Sequence, residues 1–250
     1  MPQDTFRVAI RKFEPFEQHI KQAWSAFSQK SGCSLKLDAV SLDLHPLHEH
    51  MLEKEGLKNG DIDVGFMVTD WIAKAHQQHA LKDVSPFLRE RPLEDYPSGW
   101  ADSLLRFQEV DGQTLGIPVH DGPETLIYRT DLLGGEGQPE IPTTWEAFQT
   151  AARQLTDKDK KRWGTAFAAY PDGHNTVYDF CLQLWTRGGS LTDADGTFTL
   201  NSPAAAAGLE YYRQTLRDTG AVHPESREMD SVKSGLAFAR GEVAFMVNWS

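Results

Sequence analysis

Cysteine is scarce: Cys33 and Cys181 are the two in 250 residues, far apart and in no CxxC. That spacing offers neither a dithiol centre nor a cysteine-ligated zinc site. A bridge between the two would need a specific geometry, so each reads as filling a small apolar space. Positive charge is short as well, with 25 Lys and Arg against 36 Asp and Glu and a net charge of -11. Nucleic acid and anionic membrane surfaces bind to basic faces, so both are set aside as partners. No stretch approaches the roughly 18 apolar residues of a membrane-spanning helix. The opening "MPQDTFRVAI" has no basic-then-apolar start of a secretory signal. From residues alone, the chain is cytoplasmic or the mature form of an exported protein. Signatures of nucleotide and nucleophile chemistry are missing too: there is no GxGxxG, GxxxxGK or GxSxG.

What is present is aromatic and alternating. Seven Trp and thirteen Phe supply a core, and 40% hydrophobic with 24% charged residues is the balance of a globular chain. "FRVAI", "LKLDAV" and "DVGFMV" read as strands. Between and after them, helices are predicted over 15–31, over 46–58 and from "WIAKAHQQHA". Alternation of this kind implies a parallel sheet with helices on its faces. A second alternating region carries helices over 143–155, 176–189, 202–220 and 231–241. Its strands are "GTAFAA", "DADGTFTL" and "VAFMVNWS". Between the two regions, "DGQTLGIPVHDGPETLIYRTDLL" looks extended but is interrupted by Pro118, His120, Asp121, Gly122, Pro123 and Glu124. Proline removes backbone donors, so this is no ordinary central strand.

In an open parallel sheet, ligands bind beyond the carboxyl ends of the strands. The segments past the first three strands put Glu14, Asp43, Asp70 and Trp71 at one rim. The interrupted segment adds His120 and Asp121, and the last strand adds Asn248 and Trp249. Carboxylates accept hydroxyl hydrogen bonds and flat rings cover the C–H face of a sugar, so this composition suits a neutral polyhydroxylated ligand. Structural roles compete at each position. Asp70 can cap a helix, Glu14 can complement a helix dipole, and Trp71 can be core. Trp24, Trp145, Trp163 and Trp185 are expected in the core. His45, His48 and His50 lack HExxH spacing, and Tyr211-Tyr212 fits an amphipathic helix better than an iron site. Asp121 and Glu124 remain a conceivable glycosidase pair.

Across nearly the whole chain the sequence resembles extracellular solute-binding protein family 1, the sugar-binding receptors of ABC importers that include maltose-binding protein. The resemblance is carried by "FSQKSGCSLKL", "DIDVGFMVTDWIAKAHQQHALKDVSPF", "GQTLGIPVHDGPETLIYRTDLL", "IPTTWEAFQTAARQLT" and "ARGEVAFMVNWS". It implies an α/β, two-lobe, type II periplasmic-binding-protein-like fold with a ligand cleft between the lobes. The expected domains are an amino-terminal lobe over 1–117, a hinge over 118–128, a partial second lobe over 129–242 and a return strand over 243–250. It implies a sugar or oligosaccharide ligand, ABC permease subunits as partners, a monomer, an extracytoplasmic location, and no cofactor, metal or catalysis. Asp70, Asp121 and Trp249 match the family's ligand-contacting positions, Asn175 lies in its second-lobe loop, and Glu14, Asp43, Trp71 and His120 are added from the rim. Family members continue past the position of Ser250, so the chain is expected to be either truncated or a shorter relative with an incomplete cleft. The competing class is a carbohydrate-active enzyme or a cytoplasmic sugar sensor on the same fold.

Overall fold

A computed structural model describes residues 4–120, 122–171, 173–218 and 220–249. The chain divides into two units, Met1–Asp121 and Gly122–Ser250.

The first unit is built on β1 (Thr5–Arg11), β2 (Lys36–Leu42) and β3 (Val64–Gly65), parallel and in the order β2-β1-β3. Helix α1 (Glu14–Ser31) makes the first crossover. Pro15 sits in its first turn, where a missing N–H costs nothing, and Gly32 ends it at φ 72° with its N–H donating to the Ser28 carbonyl. None of its residues is buried, and Trp24 lies flat on Phe6 of β1 at 4.8 Å.

The core of this unit gathers Leu47, Met51 and Leu52 against Ala9, with Ile62, Trp71 and Ala75. Helix α2 (Leu44–His48) widens into a π turn over Glu49–Glu53, where the Lys54 N–H reaches five residues back to the Glu49 carbonyl at 2.8 Å. The helix predicted to run to residue 58 therefore stops early. The Gly56 carbonyl then accepts from the N–H groups of Asp61 and Ile62, which turns the chain and carries Ile62 into the core. After β3 a short 3-10 turn (Thr69–Trp71) leads into α3 (Ile72–Gln77).

Three short elements were not foreseen: α4 (Ser85–Glu90), α5 (Asp102–Arg106) and the hairpin of β4 (Glu109–Val110) with β5 (Gln113–Thr114). The hairpin had a signal in its Asp111-Gly112 turn, where both residues take positive φ, 51° and 73°. Beyond it, residues 115–120 and 122–123 form no strand. The Pro118 carbonyl accepts from Trp100 Nε1 at 3.0 Å instead of pairing in a ladder.

The second unit holds β6 (Glu124–Tyr128), β7 (Trp163–Ala166) and β8 (Val243–Trp249) in the order β6-β8-β7. Strand β7 runs parallel to β8 and β6 runs antiparallel to it, so the head of β6 lies beside the end of β8. Residues Val243 to Asn248 are all buried, as a strand covered on both faces requires. Around the sheet stand α6 (Trp145–Leu155), α7 (Asn175–Trp185), α8 (Pro203–Thr215) and α9 (Ser231–Ala239). Thr144, Ser202 and Asp230 cap α6, α8 and α9 through their side chains, each sparing an orphan N–H. The main core joins Phe148 of α6, Phe245 of β8, Phe167 and Tyr212 of α8. "DADGTFTL", predicted as a turn and strand, makes only a single bridge from Thr192 to Phe198. Trp185 is 54% exposed, against the expectation of a core position. Both cysteines are free thiols.

Candidate functional site

Each unit presents its own rim at the carboxyl end of its parallel strands. In the first, Arg11 ends β1 and reaches Asp43, just past β2, at 3.3 Å. The Asp43 side chain stays 62% exposed, so it can accept a further hydrogen bond. Rings gather around Phe16 at the same level: Phe13 at 5.1 Å, Phe66 at 6.1 Å and His120 at 5.5 Å, all edge-on. Phe13 and His120 are exposed. The sequence locates this rim, since "RKFEPF" directly follows a strand, but names Glu14 there and not the rings.

The other predicted positions of this unit differ among themselves. Glu14 is exposed at the start of α1 and accepts from Gln18 Nε2 at 2.9 Å, a bond within its own helix. Asp70 is exposed in the turn after β3, and the N-cap positions of that turn and of α3 fall on Val68 and Trp71. Trp71 is a correction: its ring is buried in the unit core and meets His48 edge-on at 4.9 Å. The helix start turns that side chain inward while Asp70 faces out. Asp121 lies outside the described residues.

His48 is held by its neighbours, with Nδ1 3.2 Å from Glu53 and Nε2 3.3 Å from Lys74 Nζ. Burial, then the nearby Lys74 charge, push its pKa below the ordinary histidine value. A neutral ring donating to Glu53 and accepting from Lys74 satisfies both contacts. Among the described residues, no group of three or more His, Cys, Asp or Glu gathers as a metal site.

In the second unit, Trp249 ends β8 half-buried, directly opposite Glu124 in the register. Tyr178 meets it edge-on at 5.8 Å, and His174 meets Tyr178 at 4.8 Å, so three rings run in file along the start of α7. Asn175 is the first residue of that helix and is buried. Asn248 has a structural role: its Nδ2 donates to the Ser231 carbonyl at 2.8 Å and to Ser234 Oγ at 3.1 Å.

Beneath this rim lies a carboxyl pair that the sequence did not disclose. Glu124 is hydrogen-bonded to Asp179 of α7, and Asp179 Oδ2 accepts from the Tyr212 hydroxyl at 2.7 Å. Among the described residues, Glu124 Oε1 is buried with no hydrogen-bond partner. Burial first, then the Asp179 charge, push the Glu124 pKa up to about 8. Burial raises Asp179 as well, opposed by its bonds from Tyr212 and Glu124. The available clue was an aspartate and a tyrosine at core positions of two amphipathic helices.

A family model described as bacterial extracellular solute-binding protein matches residues 55–250. A curated relative named as an ABC transporter-binding protein, from Deinococcus radiodurans, is 24% identical over 92% of this chain and 54% of its own length. The chain thus spans about half the length of that relative. A solute-binding protein from Agrobacterium radiobacter in complex with ribitol superposes with a TM-score of 0.83 at 24% identity, covering 100% of this chain and 61% of that one. A maltose-bound protein of T. maritima gives 0.81 at 19% identity, covering 98% and 61%. These likenesses fix the fold as that of type II periplasmic sugar-binding proteins. With that family model matched over residues 55–250, this chain belongs to the bacterial extracellular solute-binding protein family.

Proposed function

We propose that the chain is the ligand-binding part of an ABC importer's extracytoplasmic receptor, taking a neutral sugar or sugar alcohol and presenting it to the permease. The observation that carries this reading is the repeated rim. At the carboxyl end of each sheet, exposed or half-buried rings stand beside hydrogen-bonding side chains: Phe13, Asp43 and Asp70 on one unit, Trp249 and Tyr178 on the other. Hydroxyl groups would bond to the carboxylates, and the rings would cover the ligand's C–H faces. Solved relatives of the same fold hold ribitol and maltose. The two units would close on the ligand about the segment over 118–128, and the closed form would be the one the permease accepts.

Calorimetry with a panel of sugars and sugar alcohols tests the reading. Asp70→Ala should weaken binding about ten- to a hundredfold, the effect of losing a charge-assisted hydrogen bond of roughly 1.5–3 kcal/mol. Trp249→Ala should weaken it to a similar extent through lost stacking. Binding of an amino acid or polyamine in place of any polyol would overturn the ligand class. Chemical conversion of the bound sugar would overturn the transport role.

A further inference from the structure

We propose that Glu124 and Asp179 hold one proton between them, and that this shared proton fastens the head of β6 to α7 and so positions the second unit's rim. The sharing rests on the burial of both groups, the Tyr212 hydroxyl bonded to Asp179 and the electrostatic contact between the two carboxyls, whereas the positioning rests on the ligand reading above.

Two carboxyl groups form a hydrogen bond only if one of them is protonated. Asp179 is 5% exposed and already accepts from the Tyr212 hydroxyl at 2.7 Å. It therefore suits the ionised form, with two donors turned toward it, and Glu124 suits the neutral acid that supplies the second. Three elements meet here: Glu124 heads β6, Asp179 lies one turn into α7, and Tyr212 stands on α8. The titratable groups facing the pair are Cys181 from α7, whose thiol is raised by burial and then by Glu124, and Tyr212 from α8. Strand β8 contributes the uncharged Trp249 opposite Glu124. The one charge acting on Glu124 among the described residues is that of Asp179, so no cation is placed there to stabilise a second carboxylate.

Base would take the Glu124 proton into solvent and leave two carboxylates in contact. The repulsion is relieved by moving the head of β6 away from α7. Glu124 pairs with Trp249, and the turn of α7 that carries Asp179 also carries Asn175 and Tyr178. Loss of the proton would thus disturb three rim residues at once.

The sign follows from the raised pKa. The folded state holds the Glu124 proton where the unfolded state has released it. The stabilisation is therefore complete at acid pH and declines as pH rises toward about 8. Carbon-13 NMR of the ligand-free protein should show one glutamate carboxyl titrating well above the free-residue range of about 4.3, and that signal should be absent in Glu124→Gln. Glutamates that all titrate in the ordinary range would overturn the sharing. Between about pH 5 and pH 9 the parent should lose roughly 5–10 °C of melting temperature relative to Glu124→Gln, whose amide donates to Asp179 at every pH. Parallel melting profiles would likewise overturn it.

For the positioning, the affinity of the best-binding polyol should fall severalfold in the parent over the same pH range and stay level in Glu124→Gln. A level affinity in both, with the high titration observed, would remove the positioning and keep the sharing. A high titration with no polyol bound at any pH would instead count against the ligand reading.

Discussion

Gly164→Ala should destabilise the second unit by about 3 kcal/mol, read as a lowered urea midpoint followed by circular dichroism. The cause is backbone against backbone. A Cβ on Gly164 would stand 2.6 Å from Ala152 Cα and would overlap the Ala152 carbonyl group. Neither side can yield cheaply. Gly164 lies in β7, held parallel to β8, and its N–H donates to Thr156 Oγ1 at 2.9 Å. Ala152 is buried in α6 with Phe148 and Leu155 around it. An added methyl must part helix from strand along the main core. Gly32→Ala is the informative comparison: φ there is 72° and no atom lies within 4 Å, so only backbone strain is introduced. That change should cost about 1 kcal/mol. Equal midpoints for the two variants would show that β7 and α6 do not approach as closely as described.

Trp71→Ala should cost the first unit about 3–5 kcal/mol, as deletion of a buried aromatic does. Its ring is 9% exposed and packs in one cluster with Leu47, Met51, Leu52 and Ile62. The edge contact with His48 at 4.9 Å also fixes the residue that bridges Glu53 and Lys74. The cavity would therefore loosen α2 as well as α3. Thermal unfolding of the parent and variant measures the loss. A variant that keeps its stability and loses polyol affinity would return Trp71 to the ligand surface.

Much of this architecture could be read from the chain because local signals agreed with one another. Pro15 and Gly32 bracket α1, Thr144 and Ser202 cap their helices, and "VAFMVNW" is apolar enough to be a strand covered on both faces. The helix predicted over 46–58 stops at Glu53 because periodicity does not register the Gly56 carbonyl, which captures two N–H groups and turns the chain. The rims were legible in outline, since strand ends locate them. The inward turn of Trp71 was not, because adjacent residues of a helical turn face different ways and sequence gives no origin for the rotation. The pairing of Glu124 with Asp179 was hidden for a different reason. It joins a strand to a helix more than fifty residues away, and each partner alone is an ordinary acidic residue.

Helix α1 buries none of its residues and meets the sheet through the Trp24 ring lying on Phe6 and a hydrogen bond that Ser41 Oγ of β2 donates to Glu17 at 2.6 Å. Stability is not uniform within a fold, and an element with few buried contacts opens without the rest. Amide hydrogens of residues 18–31 should therefore exchange with deuterium through a partial opening, well before those of β1. The distinction is measurable in denaturant: exchange of β1 should track global unfolding, while exchange of α1 should change little at low concentrations. The first crossover of the chain would then be an independent cooperative segment, able to leave and rejoin a sheet that stays assembled.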